Sequence, residues 1–174
     1  MKENKTRLMV TTGVFAAMIF VATAFLHVNT NAGYTHFGDA VMFIAASVLP
    51  TPYAMAAAAI GEGLADAISM PIWLPATVVI KALTVLLFTP KQETVICKRN
   101  LIAYIPALVL CIVGYSLYEA AIMLGGWNTA ALVKAFASTP AYFVQITGSA
   151  VLYFLVGTAL DKMGFKKNSW IKAN

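Results

Sequence analysis

Five ionisable residues lie inside apolar runs of this chain: Asp39, Glu62, Asp66, Lys81 and Glu119. A charged side chain in a hydrocarbon layer costs about 2.5–3.5 kcal/mol on insertion scales, so such groups face a protein interior or a wet cavity. Glu62 and Asp66 have i,i+4 spacing, which puts both on one helical face. His36 and Asp39 can share one side of a helix start, where Asp39 also suits the helix dipole. Carboxylates so placed accept hydrogen bonds from ring NH, amino or hydroxyl groups, and Lys81 can neutralise Asp66 or meet an anionic oxygen. Between Leu26 and Phe37 runs a polar stretch with His27, Asn29, Asn31, Gly33, Tyr34 and His36. Trp73 stands between two prolines and Trp127 follows a Gly-Gly pair. Aromatic rings beside hydrogen-bonding groups suit a planar heterocycle.

The same residues carry plainer readings. Trp73 and Trp127 also fit an interfacial aromatic belt. Asp66 and Lys81 also fit a structural ion pair between adjacent helices, and His27 an ordinary loop position. Glu62 also fits a protonated, hydrogen-bonded core group, and Lys134 a solvated one.

Catalytic signatures are missing. The sequence has no GxxxxGKS/T phosphate loop, HExxH, CxxC or GxSxG. His36 with Asp39 is a weak metal pair, and no ligand spacing supports a metal centre. Cys97 in a basic loop and Cys111 in an apolar run read as two free thiols.

Elements that hold such residues follow from composition. The chain has 174 residues, of which 60% are hydrophobic and 11% charged. Its mean hydropathy is +0.79. Soluble domains are about 45–50% apolar and about 25% charged, so the chain reads as an all-α integral membrane protein. Apolar runs place six spans at about 7–26, 36–49, 53–70, 74–88, 101–124 and 141–160, with a short interfacial helix near Thr129–Phe136. No repeat, low-complexity tract or long linker divides residues 1–174, which read as one transmembrane domain.

The net charge of +5 follows topology rather than a nucleic-acid module. Ten of the twelve basic residues (Lys2, Lys5, Arg7, Lys91, Lys98, Arg99, Lys162, Lys166, Lys167 and Lys172) fall on one side of a six-span arrangement. The positive-inside rule makes that side cytoplasmic, with both termini. A re-entrant second segment would flip the 90–100 loop and the C-terminus outward, against that rule. A cleaved signal peptide ending near Ala22, Thr23 and Ala24 is an alternative reading of the N-terminus.

With this orientation, Asp39, Glu62, Asp66, Lys81, Glu119 and Gln145 all lie in the outer half of the membrane. The expectation is a polar pocket that opens outward. Gly13 and Ala17 form a small-xxx-small pair in the inner half of the first span. Such pairs let helices approach closely, here within the chain or against another membrane subunit.

The ordered set Gly33-Tyr-Thr-His36-Phe-Gly38-Asp39, Gly61-Glu-Gly-Leu-Ala-Asp66 and Pro75-Ala-Thr-Val-Val-Ile-Lys81 resembles the substrate-binding S components of energy-coupling factor (ECF) vitamin transporters. The resemblance is to the riboflavin-transporter-like branch and covers nearly the whole chain. It implies a six-helix subunit of the prokaryotic plasma membrane that binds a vitamin near the outer face and is closed by the loop after the first helix. It implies a T-component partner contacting the first helix, at Gly13 and Ala17 here. Family members often show Ala-xxx-Ala at that place. It also implies two cytoplasmic ATPases that bind the ATP, so this chain needs no cofactor, and toppling in the membrane to release substrate inward.

The expected substrate-binding residues are Tyr34, His36, Asp39, Asp66, Trp73, Lys81 and Glu119, with Tyr34 or Trp73 stacking on a ring. Asp39→Ala and Glu119→Ala are expected to lose binding while still inserting. Three acids against one lysine favour a neutral or cationic ligand with several donors. A vitamin B6-type pyridine comes first, then hydroxymethylpyrimidine and riboflavin. The alternatives are a self-sufficient proton-coupled transporter using Glu62, Asp66, Lys81 and Glu119, a small intramembrane enzyme, or a purely structural membrane subunit.

Overall fold

The computed structural model describes residues 2–29 and 34–168. Asn31, Gly33 and Lys172, singled out above, lie outside the described residues. The chain is a bundle of helices: α1 (Lys2–Phe25), α2 (Gly38–Val48), α3 (Thr51–Ser69), α4 (Leu74–Leu86), α5 (Lys98–Tyr118), α6 (Thr129–Phe136), α7 (Thr139–Lys162) and α8 (Phe165–Asn168). A 3-10 turn, Pro71–Trp73, joins α3 to α4, and a π-helical turn, Glu119–Met123, continues α5.

Local sequence sets the starts. Pro52, Pro75 and Pro140 sit in the first turns of α3, α4 and α7, where no N–H is needed for the helix. Asn128 caps α6 by accepting from Ala131 N at 2.9 Å. Three stretches, Lys5–Phe25, Lys98–Met123 and Thr129–Lys162, are long and apolar enough to cross a membrane. Gly38–Val48 and Pro71–Leu86 are shorter apolar helices. The helix at Thr129–Phe136 stands where the sequence puts it.

One element differs from the sequence reading. The polar stretch after α1 is not a plain loop. Its ends pair as a two-stranded antiparallel hairpin, β1 (His27–Asn29) and β2 (Tyr34–His36), with His27 opposite His36. So short a ladder has no room for a two-residue alternation.

Close helix contacts fix the frame. A Cβ at Gly61 would lie 2.6 Å from Ala16 O, so α3 crosses α1 where a side chain is missing. A Cβ at Gly38 would fall 1.9 Å from Thr23 Oγ1, which presses the start of α2 onto α1. Ile19, Met42, Phe43, Leu49 and Ile146 fill the core between these helices. Exposed apolar residues such as Val14, Val21, Ile102, Ile105, Phe154 and Leu155 cover the outside of the three long stretches. A membrane protein needs that inversion, since lipid is as apolar as the core.

At the end away from the hairpin, side chains bind main chain. Asp161 accepts from Val95 N at 2.6 Å and Ile96 N at 2.9 Å. Asn100 brackets Thr89, accepting from its N at 2.9 Å and donating to its O at 3.0 Å. Tyr153 donates to Val95 O at 2.8 Å. Lys166 donates to the carbonyls of Ser47, Pro90 and Gln92 at 2.5–2.8 Å. Burial holds the Lys166 ammonium below the ordinary lysine range. The 89–97 connection is thereby clamped to α5, α7 and α8.

Candidate functional site

The opposite end holds a cavity whose empty space, mouth included, is about 490 Å³. It is lined by Tyr34 and His36 of β2, Asp66 of α3, Trp73, Thr77 of α4, Tyr115 of α5, and Ser138, Ala141, Tyr142 and Gln145 at the start of α7. The hairpin is tied down beside it, because Thr35 Oγ1 donates to Ala141 O at 3.0 Å.

Rings make the walls. Tyr115 stacks on Tyr142 with centroids 5.5 Å apart, and Trp73 meets Tyr115 edge-on at 5.7 Å. Tyr34 lies between His27 and His36, at 5.0 and 5.6 Å. The Tyr34 hydroxyl donates to Asp66. Burial and the neighbouring Asp66 carboxylate push the Tyr34 phenol upward, so it stays a neutral O–H donor. Thr77 faces Asp66 and lies 3.0 Å from the Tyr115 hydroxyl.

Behind this lining is a closed charge cluster. Lys81 donates to Asp39 Oδ1 at 2.5 Å, and its Nζ lies 3.0 Å from Glu62 Oε2. All three side chains are fully buried. Gln145 Nε2 donates to Asp39 Oδ2 at 2.7 Å and lies 3.2 Å from His36 Nε2. His36 Nδ1 accepts from Gly38 N at 3.2 Å, and His36 Nε2 lies 3.7 Å from Glu62 Oε2. His36, Asp39 and Glu62 could each present one ligand atom to a metal. The Lys81 ammonium already occupies the cation position between Asp39 and Glu62.

Residues 3–163 match the family model described as ECF-type riboflavin transporter, S component. The chain belongs to this family. A search among curated proteins finds no match. The protein is therefore an S component, a substrate-binding membrane subunit of vitamin uptake, in a family of transporters rather than enzymes. The family read from the ordered motifs is the family found.

Within this S component, the seven expected binding residues fall into three places. Tyr34, His36, Asp66 and Trp73 line the cavity together. Asp39 and Lys81 stand behind it, joined to the lining through Gln145. Glu119 opens the π-helical turn and is not among the lining residues; it sits near Ser138 and Lys134, and its buried Oε2 makes no hydrogen bond. Trp127 is 69% exposed and is not among the lining residues.

The expected Asp66–Lys81 pairing is corrected. The α3–α4 hairpin turns about Pro71 and Ile72, and Glu62 and Lys81 are equally far from that centre. Asp66 is matched instead with Thr77. Lys81 accordingly pairs with Glu62 and Asp39, while Asp66 takes the Tyr34 hydroxyl. Helix-end depth alone hides this; the symmetry of the hairpin reveals it.

Sequence reasoning misses Thr77, Tyr115, Ser138, Ala141 and Tyr142 as lining residues. Tyrosine and threonine are ordinary inside spans, so only Gln145, an amide about one turn into the last long helix, gives a signal. On α1, Gly13 and Ala17 are exposed, and nothing lies within 4 Å of a Cβ built at Gly13. Ala16, on the other face, is buried where α1 meets α3.

Proposed function

We propose that this S component binds a small, donor-rich planar heterocycle in the cavity between the hairpin, α3, α4 and α7, with a vitamin B6-type pyridine first in rank. One observation carries the ligand class: no lysine or arginine is among the described lining residues, and Lys81 is engaged by Asp39 and Glu62 behind them. Asp66 and Gln145 supply acceptors and Tyr115, Tyr142 and Trp73 supply ring faces. A dianionic ligand finds no counter-charge there. Riboflavin is the second reading, favoured by the description of the matched family.

The rest of the assignment is ours as well. Six spans place both termini and the 89–97 connection in the cytoplasm, with residues 1–174 as one domain of a prokaryotic plasma-membrane protein. α2 and α4 are short for a bilayer core of about 30 Å, and the connections that follow them complete their crossings. A T component docks on α1 at Gly13 and Ala17, supported by the open space there. Two cytoplasmic ATPases drive release.

The test is purification in detergent, native mass spectrometry for a retained small molecule, and thermal shift with pyridoxine, pyridoxamine, hydroxymethylpyrimidine, riboflavin and pyridoxal phosphate. Stabilisation by the uncharged or cationic pyridines, and none by pyridoxal phosphate, is the expected result. A shift with riboflavin alone replaces the pyridine by a flavin. No shift with any compound, together with uptake by the lone protein in proteoliposomes under a pH gradient, would make the protein a proton-coupled transporter instead.

A further inference from the structure

Asp39 is fully buried and does not line the cavity, yet it touches a residue that does. Its Oδ1 takes the Lys81 ammonium, and its Oδ2 takes Gln145 Nε2. A carboxylate in an ion pair offers only acceptors. An amide facing it can present only its NH₂ end, which fixes the rotamer of Gln145. His36 opposes this choice. Its Nδ1 accepts from Gly38 N, so the ring proton sits on Nε2, which lies 3.2 Å from Gln145 Nε2 and 3.7 Å from Glu62 Oε2. The ionised Asp39 carboxylate, closer at 2.7 Å, makes the stronger bond and sets the amide. With Nε2 held by Asp39, the carbonyl oxygen of Gln145 remains for the cavity; among the described residues it has no hydrogen-bond partner.

The geometry points to Gln145 as the specificity-determining residue, an acceptor that reads a donor on the ligand, with Asp39 and Lys81 as positioning residues that orient its amide. This deepens the proposed function and rests on it for the ligand, but the orientation of the amide is testable without one. Asp39→Asn gives the sharpest test. The substituted side chain keeps its carbonyl oxygen on Lys81, which places its own NH₂ group against Gln145 Nε2. Two donors then face each other, so the Gln145 amide turns over. Its oxygen accepts from the introduced amide and its NH₂ group enters the cavity. The site is thereby converted from reading donors to reading acceptors.

Only two glutamines, Gln92 and Gln145, occur in the chain. Protein labelled with ¹⁵N-glutamine therefore gives two side-chain amide pairs by NMR, and Gln145→Met identifies that of Gln145 by its loss. In the unaltered protein this pair is expected to exchange slowly with water; in Asp39→Asn its exchange rises at least about tenfold and its shift moves. In parallel, the affinities for pyridoxine, which carries a hydroxymethyl donor, and pyridoxal, with a carbonyl acceptor, are measured by calorimetry. Gln145→Met is expected to weaken pyridoxine roughly tenfold, the loss of one hydrogen bond. Asp39→Asn is expected to abolish the preference for pyridoxine over pyridoxal, because an NH₂ group can donate to the hydroxymethyl oxygen and to the carbonyl alike. Gln145→Asn, too short to reach Asp39, keeps an amide and loses the preference, which covers poor folding of Asp39→Asn.

An unchanged Gln145 amide in Asp39→Asn overturns the inference whatever binds. A turned amide with no binding of pyridoxine or pyridoxal by the unaltered protein upholds the orientation and overturns the pyridine ligand instead.

Discussion

At the cavity end, charged side chains meet one another: Lys81 joins Asp39 and Glu62, and Gln145 bridges to the pair. At the far end polar side chains meet backbone: Asp161 holds two amides, Lys166 three carbonyls, and Asn100 both main-chain polar groups of Thr89. The far end closes the hydrogen bonds of an irregular segment that the bundle would otherwise leave open. The cavity end leaves polar atoms unmatched, among them Trp73 Nε1 on the lining and His27 Nδ1 on the hairpin beside it. A protein that only needed to be stable would satisfy both ends alike. Unmatched groups around an aromatic cavity are what a binding subunit keeps for its ligand.

Three variants sharpen or break this contrast. Lys81→Met has the largest expected effect. It strands two buried carboxylates, a change worth about 3–5 kcal/mol, and should lower the unfolding midpoint in detergent steeply. Adding Asp39→Asn and Glu62→Gln to it should restore most of the loss. A stable single variant would show that the ion cluster does not hold α2, α3 and α4 together. Asp161→Ala comes next. Losing two charge-assisted bonds to Val95 and Ile96 should cost about 2 kcal/mol, while vitamin affinity stays within about threefold of the unaltered protein. A parallel fall in affinity would mean that the two ends are not independent. Glu119→Ala is the mildest. The carboxylate lies outside the cavity lining and one of its oxygens is unpaired, so affinity by calorimetry and midpoint should change little. A tenfold loss of binding would return Glu119 to the site.

The contrast also explains what is legible in the sequence. An ionisable residue in an apolar run stands out, so Asp39, Glu62, Asp66, Lys81 and Glu119 are visible from the amino-acid order alone. The helices other than α8 fall on the apolar runs, with α1 beginning five residues before the run read for it. What a side chain does to distant main chain leaves no trace in composition. Asp161 and Lys166 therefore read only as charges at a membrane boundary, although they clamp a connection far back along the chain. Depth can be read from the sequence but azimuth cannot. Glu119 stands out in an apolar run as the others do and is not among the lining residues; Tyr142 and Tyr115 have unremarkable identities and form the cavity wall.

The pairing of Lys81 with Glu62 also bears on how the protein is made. With α4 as one of the six proposed spans, that helix on its own would carry an unneutralised ammonium into lipid as it leaves the ribosome-bound insertion channel. Its partner Glu62 has already emerged on α3, and Asp39 before that on α2. Co-translational entry is thus easiest if α3 and α4 leave the channel as one hairpin with Glu62 already on Lys81, and chain elongation supplies the acids before the base.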